Sequence, residues 1–364
     1  ELDKALATVL EAQADGIESA QTATAWKVIS EATYQDLPAI FDAMDKATPL
    51  AANWIGMALD AVYESQSDAG RQLPSALLAE TALDTDRALQ TRKLAIELLG
   101  QVDDELVEAL QSQFLHDPEA ELRRPAVEKK IEEAKLAGEN SSSQQQLALF
   151  KEVLGAARDS DQIQDIAKAM KELGEEVDLA AQLGHLVRWH IVGPFDNSDG
   201  RGFDASYPPE SIDLKNYQGP DGIFSKVPLA GKDGPVTWKS IDASASNGNV
   251  DLNKEIEKLK DVVAYGAARF VSDNKRQVDV RLRVQNSFKI WLNGKLLMNQ
   301  PVGHTGNKFD QYIVRTTLAK GENIFVIKSC QVNISGSTSF YDTWHFCVRI
   351  CDSTGAAILS TDRK

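Results

Sequence analysis

The apolar residues of this chain change their spacing once, near His185. Before that point they recur every three or four residues, as at Trp54, Met57, Ala58 and Val62, which is typical of helices with one buried face. The same part is rich in Ala, Leu, Glu and Gln, which favour helices. After that point, short alternating runs are separated by Gly, Pro, Asn and Asp turns, which is typical of antiparallel β-structure. The predicted fold class is therefore multidomain, α then β.

Charge divides at the same place. Residues 1–185 hold 35 Asp and Glu against 16 Lys and Arg, a net charge of -19, whereas residues 186–364 hold 19 against 23, a net charge of +4. The acidic half argues against nucleic acid as a partner, because binding the phosphate backbone requires clustered Lys and Arg. No apolar run approaches the roughly 18 residues of a membrane helix, so no membrane span is expected.

The ends of the chain carry the signals about its compartment. The chain begins at Glu1 without an N-terminal signal pattern, so we expect either a mature secreted or periplasmic protein or an excised fragment. The cysteines, Cys330, Cys347 and Cys351, all lie near the C-terminus. A Cys330–Cys351 disulfide is predicted and would fit an oxidising compartment, and the alternative is three unpaired, partly buried thiols.

The helical half contains a repeated pattern. Arg92 precedes Ala95 in "TRKLAIELLGQ" as Arg123 precedes Ala126 in "LRRPAVEKKIEE", and an amphipathic segment lies between these two stretches. Asp117-Pro118 then begins a helix. This pattern resembles the HEAT repeat, clearly over residues 85–137 and more weakly over residues 21–84. The resemblance implies stacked helix pairs, since one pair cannot bury its apolar face alone, and a protein partner docked on them.

We expect three parts along the chain: residues 1–140 as HEAT-like α-helical repeats, residues 141–185 as an additional helix pair, and residues 186–364 as a β-sandwich. An Asn293-Gly294 hairpin turn is predicted, because both residues tolerate a positive φ. The strands predicted around it are Ala264–Val271, Val278–Gln285, Lys289–Leu292, Lys295–Met298, Gln311–Thr317, Asn323–Cys330 and Thr343–Cys351.

Three sequence motifs in the predicted sandwich resemble those of a known family. They are W-x-N-G at Trp291–Gly294, L-x-x-G-x-N at Leu318–Asn323 and F-x-V-R-I-x-D at Phe346–Asp352. Together they resemble the galactose-binding-like jelly roll, which occurs in carbohydrate-binding domains and in non-catalytic sandwich domains of glycoside hydrolases. The stretch "WHIVGPFDNSDGRGFDASYPPE" resembles the opening of a set of secreted bacterial proteins that join helical repeats to this sandwich. That second likeness covers about residues 118–358 and implies an architecture without an activity.

Two polar loops of the sandwich are the candidate ligand site. Sugar sites combine an aromatic ring, which stacks on the sugar, with side chains that bond its hydroxyl groups. The candidate ligand-binding residues are His304, Asn307, Asp310, Tyr312, Asn333, Tyr341, Asp342 and Trp344. The alternative is a pair of ordinary polar loops with one or two buried aromatic residues. Trp291 has the same two readings, as core or as a ligand platform.

One loop offers oxygen ligands for a metal. Asp196, Asn197, Asp199 and Asp204 lie among glycines, and carboxylate and amide oxygens on a turning backbone suit Ca²⁺. The D-x-[DN]-x-[DN]-G spacing is absent, and the alternative is a hydrogen-bonded turn capped by these side chains. The sequence contains neither H-E-x-x-H nor G-x-S-x-G, so catalytic zinc and the usual hydrolase nucleophile are unsupported.

The sequence therefore favours a non-catalytic secreted binding protein, whose sandwich recognises a carbohydrate and whose helices dock a protein. The alternative is a structural scaffold of a larger surface or periplasmic assembly, with no sugar site. Exposed Trp344 and Tyr341 beside Asp342 would favour the first reading, and burial of both in the core would favour the second. An enzyme would require two facing carboxylates in a deep cleft between the domains.

Overall fold

The computed structural model describes residues 1–12, 19–140, 142–211, 228–303, 306–332 and 342–363. The chain forms two compact units, Glu1–Ala157 and Arg158–Lys364. The division falls within the segment 141–185, which was expected to be a separate helix pair. Its first helix lies in the first unit and its second helix lies in the second unit.

The first unit is helical throughout its described residues. Its helices are α1 Leu2–Leu10, α2 Ser19–Ser30, α3 Leu37–Met44, α4 Pro49–Asp68, α5 Ser75–Leu83, α6 Leu89–Gly100, α7 Asp104–Gln111, α8 Ala120–Ala137 and α9 Ser143–Ala156. Several of them begin at a capping side chain that accepts a hydrogen bond from the backbone two or three residues on. Thr48 caps α4, Asp103 caps α7 and Ser142 caps α9.

Most consecutive helices pack against one another, as α5 does against α6, and α4 also packs against α2 and α6. Apolar side chains at helical spacing form the shared core, with Ile40, Phe41, Ile55, Leu59 and Leu99 fully buried. The expectation of a helical first half is confirmed.

Asp45, just after α3, ties the end of that helix to the start of α6. It accepts hydrogen bonds from the Arg87 side chain at 2.8 Å, the Ala88 amide at 3.0 Å and the Thr91 hydroxyl at 2.6 Å. Acceptors of this kind satisfy backbone and side-chain donors that would otherwise be unpaired at the helix start. Helices that are distant in sequence are thereby held at a fixed position.

The second unit contains two antiparallel sheets that pack as a sandwich. The six-stranded sheet has the order β4-β1-β6-β11-β8-β9, and the four-stranded sheet has the order β10-β7-β12-β5. A short pair, β2-β3, forms a third sheet that packs beside β1. The strands are β1 Arg188–Asp196, β2 Leu229–Ala230, β3 Pro235–Val236, β4 Lys239–Asp242, β5 Val250–Asp251, β6 Val262–Ser272, β7 Arg276–Val284, β8 Ser287–Leu292, β9 Lys295–Gln300, β10 Tyr312–Leu318, β11 Gly321–Gln331 and β12 His345–Cys351.

The helices of this unit are α10 Ser160–Glu172, α11 Leu179–Gln182 and α12 Leu252–Glu255. Large apolar side chains from both sheets fill the space between them, among them Trp189, Phe270, Phe288, Phe325 and Phe346. Because side chains alternate along a strand, every second residue points away from this core. The polar residues of the strands therefore collect on the two outer faces.

The hairpin between β8 and β9 has the predicted turn. Asn293 and Gly294 both have positive φ, 50° and 79°, as a type I′ turn requires. The Asn293 side chain also accepts a hydrogen bond from the Ile324 amide at 2.8 Å on the neighbouring strand. The hairpin is therefore explained by strand pairing without a ligand. Trp291 is partly buried beside an apolar cluster on the outer face of the six-stranded sheet.

The predicted Cys330–Cys351 disulfide is wrong. All three cysteines are free and buried. Cys330 packs in the apolar cluster outside the six-stranded sheet, whereas Cys351 lies on β12 of the four-stranded sheet among the arginines of its outer face. The two thiols are on opposite sides of the sandwich and cannot bond, since a disulfide needs Cα atoms within about 7 Å.

The described helices include none that is long and apolar enough to cross a membrane.

Candidate functional site

The loop before β10 lies against the outer face of the four-stranded sheet. Asp310 accepts a hydrogen bond from Arg281 Nη1 at 2.9 Å. The same carboxylate forms an ion pair with Arg349, whose Nε lies 2.9 Å from Oδ1. This second contact is a charge contact and not a hydrogen bond, because that N–H lacks a well-aligned acceptor. The Arg349 guanidinium stacks 4.7 Å from the centre of the Phe309 ring. Asp310 therefore links two arginines to the loop.

Two further residues of the predicted ligand set come from the same loop. Asn307 Oδ1 lies 3.0 Å from His345 Nε2, so the imidazole donates through that nitrogen. Burial and the positive charge of Arg283 lower the pKa of His345, which favours the neutral ring. Tyr312 packs edge-on against Phe288, with ring centres 5.0 Å apart. His304, Asn333 and Tyr341, also in the predicted set, lie outside the described residues.

Asp342 and Trp344 have separate partners. The Asp342 carboxylate is paired with Lys260 at 2.9 Å and Lys258 at 3.0 Å, and hydrogen bonds from these lysines lower its pKa. Trp344 is fully buried in the core between the sheets, and its indole N–H donates to the Ser329 hydroxyl at 3.1 Å. A ring in that position offers no face to a sugar. The structure thus brings Asn307 and Asp310 to one outer face and leaves Trp344 in the core.

The predicted metal residues are not assembled as one group. Asp196 Oδ1 accepts hydrogen bonds from the Ser198 hydroxyl at 2.6 Å and the Ser198 amide at 3.2 Å, the pattern of a capped turn. Asn197 is buried and donates to the Gln331 carbonyl at 3.0 Å. Asp199 pairs with the exposed Arg201 at 3.2 Å, and the Asp204 side chain is 92% exposed. Across the described ranges, no three Asp, Glu, His or Cys side chains are close enough to hold a metal ion.

A buried lysine on the outer face of the six-stranded sheet was not anticipated. Lys328 is fully buried and donates to the Phe203 carbonyl at 3.1 Å, the Ala205 carbonyl at 2.6 Å and Glu210 at 2.9 Å. Tyr265 donates to the same carboxylate, and burial raises the pKa of this tyrosine above its usual range. All three ammonium protons are used, so this cluster anchors the chain segment that covers the sheet.

A groove of about 1,080 Å³ runs along the helical unit. Its walls come from α4, α6 and the start of α8, which are alternate helices along the chain. Apolar side chains form the floor, including Trp54, Met57 and Leu89, and Met57 is 49% exposed. Gly56 also lines it, and a Cβ built on this glycine meets no atom within 4 Å. The groove is therefore open and largely apolar.

Carboxylates also line this groove. Asp60, Glu97 and Glu121 lie along the groove, whereas the single cation among its lining residues, Lys93, is paired with Glu121 at 2.7 Å. Residues 1–157 hold 28 Asp and Glu against 13 Lys and Arg, so this unit carries a net charge of -15. The groove is therefore suited to a cationic segment.

The sequence contains a signal for the groove. Trp54 and Met57 lie at apolar helical positions one turn apart, but Met57 is exposed, so the apolar stripe of this helix is wider than its buried face. The sequence indicates more clearly that the arginines of β7 and β12 lie on a polar face. In "VDVRLRV" and "FCVRIC" a charged or polar residue stands at every second position, so one face of each strand had to be polar.

Comparison with known proteins gives distant likenesses. No protein family matches the chain, and no curated protein is similar to it. Twelve chains of solved structures match. One is the β-glucosidase of Kluyveromyces marxianus in complex with glucose, 19% identical over 31% of this chain and 14% of that chain, with a TM-score of 0.23. Another is the Se-Met-labelled form of that enzyme, 14% identical over 50% of this chain and 21% of that chain, with a TM-score of 0.26. Likenesses at these TM-scores carry no conclusion about activity.

Proposed function

We propose that this chain is a non-catalytic binding protein whose helical unit holds a cationic amphipathic segment of a partner protein. The groove along α4, α6 and α8 is the observation that carries the proposal. Its floor of Trp54, Met57 and Leu89 would take the apolar side chains of the segment. Its carboxylates would face the segment's Lys and Arg side chains. This is helix-in-groove recognition, in which apolar anchors supply affinity and charge supplies orientation.

The architecture proposed with this function is a HEAT-like array followed by a galactose-binding-like jelly roll, in a secreted or periplasmic protein. The groove lies along α4, α6 and α8, which are alternate helices of the chain. This arrangement supports the HEAT-like part, because stacked helix pairs present every second helix on a common surface. The motifs at Trp291–Gly294 and Leu318–Asn323 support the jelly roll.

The test uses the intact chain and a synthetic amphipathic peptide with Leu on one face and Lys on the other. Binding is measured by fluorescence anisotropy, with the same peptide carrying Glu in place of Lys as the charge control. We expect the Lys peptide to bind at least about tenfold more tightly, equivalent to about 1.4 kcal/mol, and this difference should shrink with added salt.

Matched substitutions locate the binding. Gly56→Phe places a ring in the groove, where no atom lies within 4 Å of the new Cβ. Gly155→Phe makes the same change at an equally open position of α9 outside the groove-lining residues. We expect only Gly56→Phe to abolish binding. Equal binding by the two variants, or equal binding of the Lys and Glu peptides, contradicts the proposal.

Carbohydrate recognition by the sandwich is the second candidate function. It is favoured by the loop that carries Asn307 and Asp310, since both side chains lie on the outer face of the four-stranded sheet beside other polar groups. The scaffold alternative is favoured by the burial of Trp344. A chain that binds neither the peptide nor any sugar would leave the scaffold as the better proposal.

A further inference from the structure

The outer face of the four-stranded sheet concentrates arginine. The pairing of β7 with β12 places Arg281 opposite Arg349 and Arg283 opposite Cys347. The pairing of β7 with β10 places Arg315 opposite Asp279. Because alternate residues share a face, these four arginines point away from the sandwich core. Like charges this close on neighbouring strands repel unless an anion lies between them.

Two carboxylates neutralise part of this charge. Asp310 pairs with Arg281 and Arg349, and Asp279 pairs with Arg281 and Arg315. Arg283 donates a hydrogen bond to Asn249 Oδ1 at 3.1 Å. Within the described part of the chain, no carboxylate is paired with it. Its Nε is buried and has no acceptor there. Four guanidinium groups thus face two carboxylates.

A cavity of about 190 Å³ lies over these arginines. Arg281, Arg283 and Arg349 line it together with Ser160, Gln164 and Ser246. The Gln164 amide donates to the Ser160 hydroxyl at 2.8 Å, and the Ser246 hydroxyl donates to backbone carbonyls. This volume is well above the roughly 10–15 Å³ that one water needs and below the roughly 300–1,000 Å³ of pockets for drug-sized ligands. The cavity therefore suits a small ligand.

The pKa values of two histidines on this face are lowered in part by its positive charge. Burial, together with the charges of Arg349 and Arg283, lowers the pKa of His185 to about 4. His345, also on this face, is affected in the same way by burial and Arg283. Burial is the larger cause for both imidazoles, and Arg283 acts on both in the same direction, as expected beside a positive charge that favours an anion.

We propose that this cavity binds a small hydroxy-carboxylate, of the chemistry of a sugar acid. The guanidinium fork of Arg283 matches the two oxygens of a carboxylate, and this contact is strong in a site shielded from water. The hydroxyl oxygens of Ser160 and Ser246 and the amide oxygen of Gln164 keep acceptor capacity for the hydroxyl groups of a ligand. Asp310 in the wall disfavours a doubly charged phosphate. The inference rests on the second candidate function, ligand binding by the sandwich.

Calorimetric titration of the intact chain with D-galacturonate and D-glucuronate tests the proposal, with D-galactose, D-glucose and inorganic phosphate as comparison ligands. We expect a sugar acid to bind at least about tenfold more tightly than its neutral counterpart, as a hydrogen-bonded charge pair would give. Equal binding of acid and neutral sugar overturns the carboxylate assignment and leaves carbohydrate recognition standing. Binding of phosphate alone overturns the sugar-acid class. Binding of no ligand overturns both.

Variants place the ligand in the cavity. Arg283→Gln should weaken binding of the sugar acid at least about tenfold. Arg315→Gln is the control, because Arg315 lies on the same face but is 60% exposed and outside the cavity lining. If Arg283→Gln does not fold, Gln164→Trp fills the cavity from an exposed position on α10, and Lys168→Trp, at an exposed position of the same helix outside the cavity lining, is its control. Unchanged affinity in both Arg283→Gln and Gln164→Trp contradicts the proposal.

Discussion

Arg92 and Asp117 form a buried ion pair that joins α6 to the start of α8. Arg92 Nη1 donates to Asp117 Oδ1 at 3.0 Å, and Nη2 donates to the second carboxylate oxygen. The Arg92 side chain is fully buried, and its Nε donates to the Ala82 carbonyl at 2.9 Å. Asp117 also accepts from the Glu119 amide at 2.9 Å. One ion pair thus connects three helices of the acidic unit.

We expect Arg92→Ala to lower the free energy of unfolding of the helical unit by about 3–5 kcal/mol, because it leaves the Asp117 carboxylate buried without its cation. Chemical denaturation followed by circular dichroism measures the loss. Lys93→Ala is the matched control: its pair with Glu121 is 45% and 60% exposed, and such pairs contribute only about 0–1 kcal/mol. A similar loss in both variants would show that the buried pair is no more important than the exposed one.

His185 should make the sandwich less stable in mild acid. Burial holds the pKa of its folded imidazole at about 4, whereas an unfolded histidine titrates near 6.5. Between these values the unfolded chain binds a proton that the folded chain excludes. The free energy of unfolding therefore falls as pH drops from about 6.5 to 4, by about 3 kcal/mol in total.

Denaturation of the wild type and of His185→Gln at several pH values between 4 and 7 isolates this contribution. The variant should show a smaller decline, whatever its stability at neutral pH, because a glutamine binds no proton. Parallel declines for the two proteins would mean that His185 is not the group responsible.

The cysteines should be thiols that do not react in the folded chain. Burial raises the pKa of Cys330 and Cys347 to about 12 and that of Cys351 to about 11, so the reactive thiolate is scarce at pH 8. We expect a thiol reagent to label the native chain slowly and all three cysteines after denaturation without reductant. Fewer than three labelled cysteines under those conditions would point to a disulfide.

Local pattern predicted the strands β6 to β12, because their signals are local. The motif L-x-x-G-x-N shows why. The Asn323 side chain bonds the Ala319 amide and carbonyl at 2.8 Å and the Gly321 carbonyl at 3.0 Å, and it accepts from Asn293 at 3.0 Å. The motifs that identify the sandwich thus close its turns. They say nothing about a ligand.

The candidate sites were harder to predict, because they depend on which faces meet in three dimensions. Nothing near Arg283 in sequence shows that Arg349 and Asp310 lie beside it. The disulfide prediction failed for the same reason, since Cys330 and Cys351 are close in sequence but occupy opposite sides of the sandwich. The alternation of charged residues in β7 predicted a polar face. The strand order is needed to show that β10 and β12 lie beside it.

Trp344 should contribute to stability and not to sugar binding. Its indole is fully buried and its N–H donates to Ser329, so Trp344→Ala opens a large cavity and leaves that hydroxyl without its donor. We expect a loss of about 3–5 kcal/mol in the free energy of unfolding, measured by denaturant titration. Trp291→Ala is the comparison, and its loss should be smaller because this side chain is only partly buried. If Trp344→Ala keeps its stability but loses affinity for a sugar, then the ring is a ligand contact and its buried position is not the functional one.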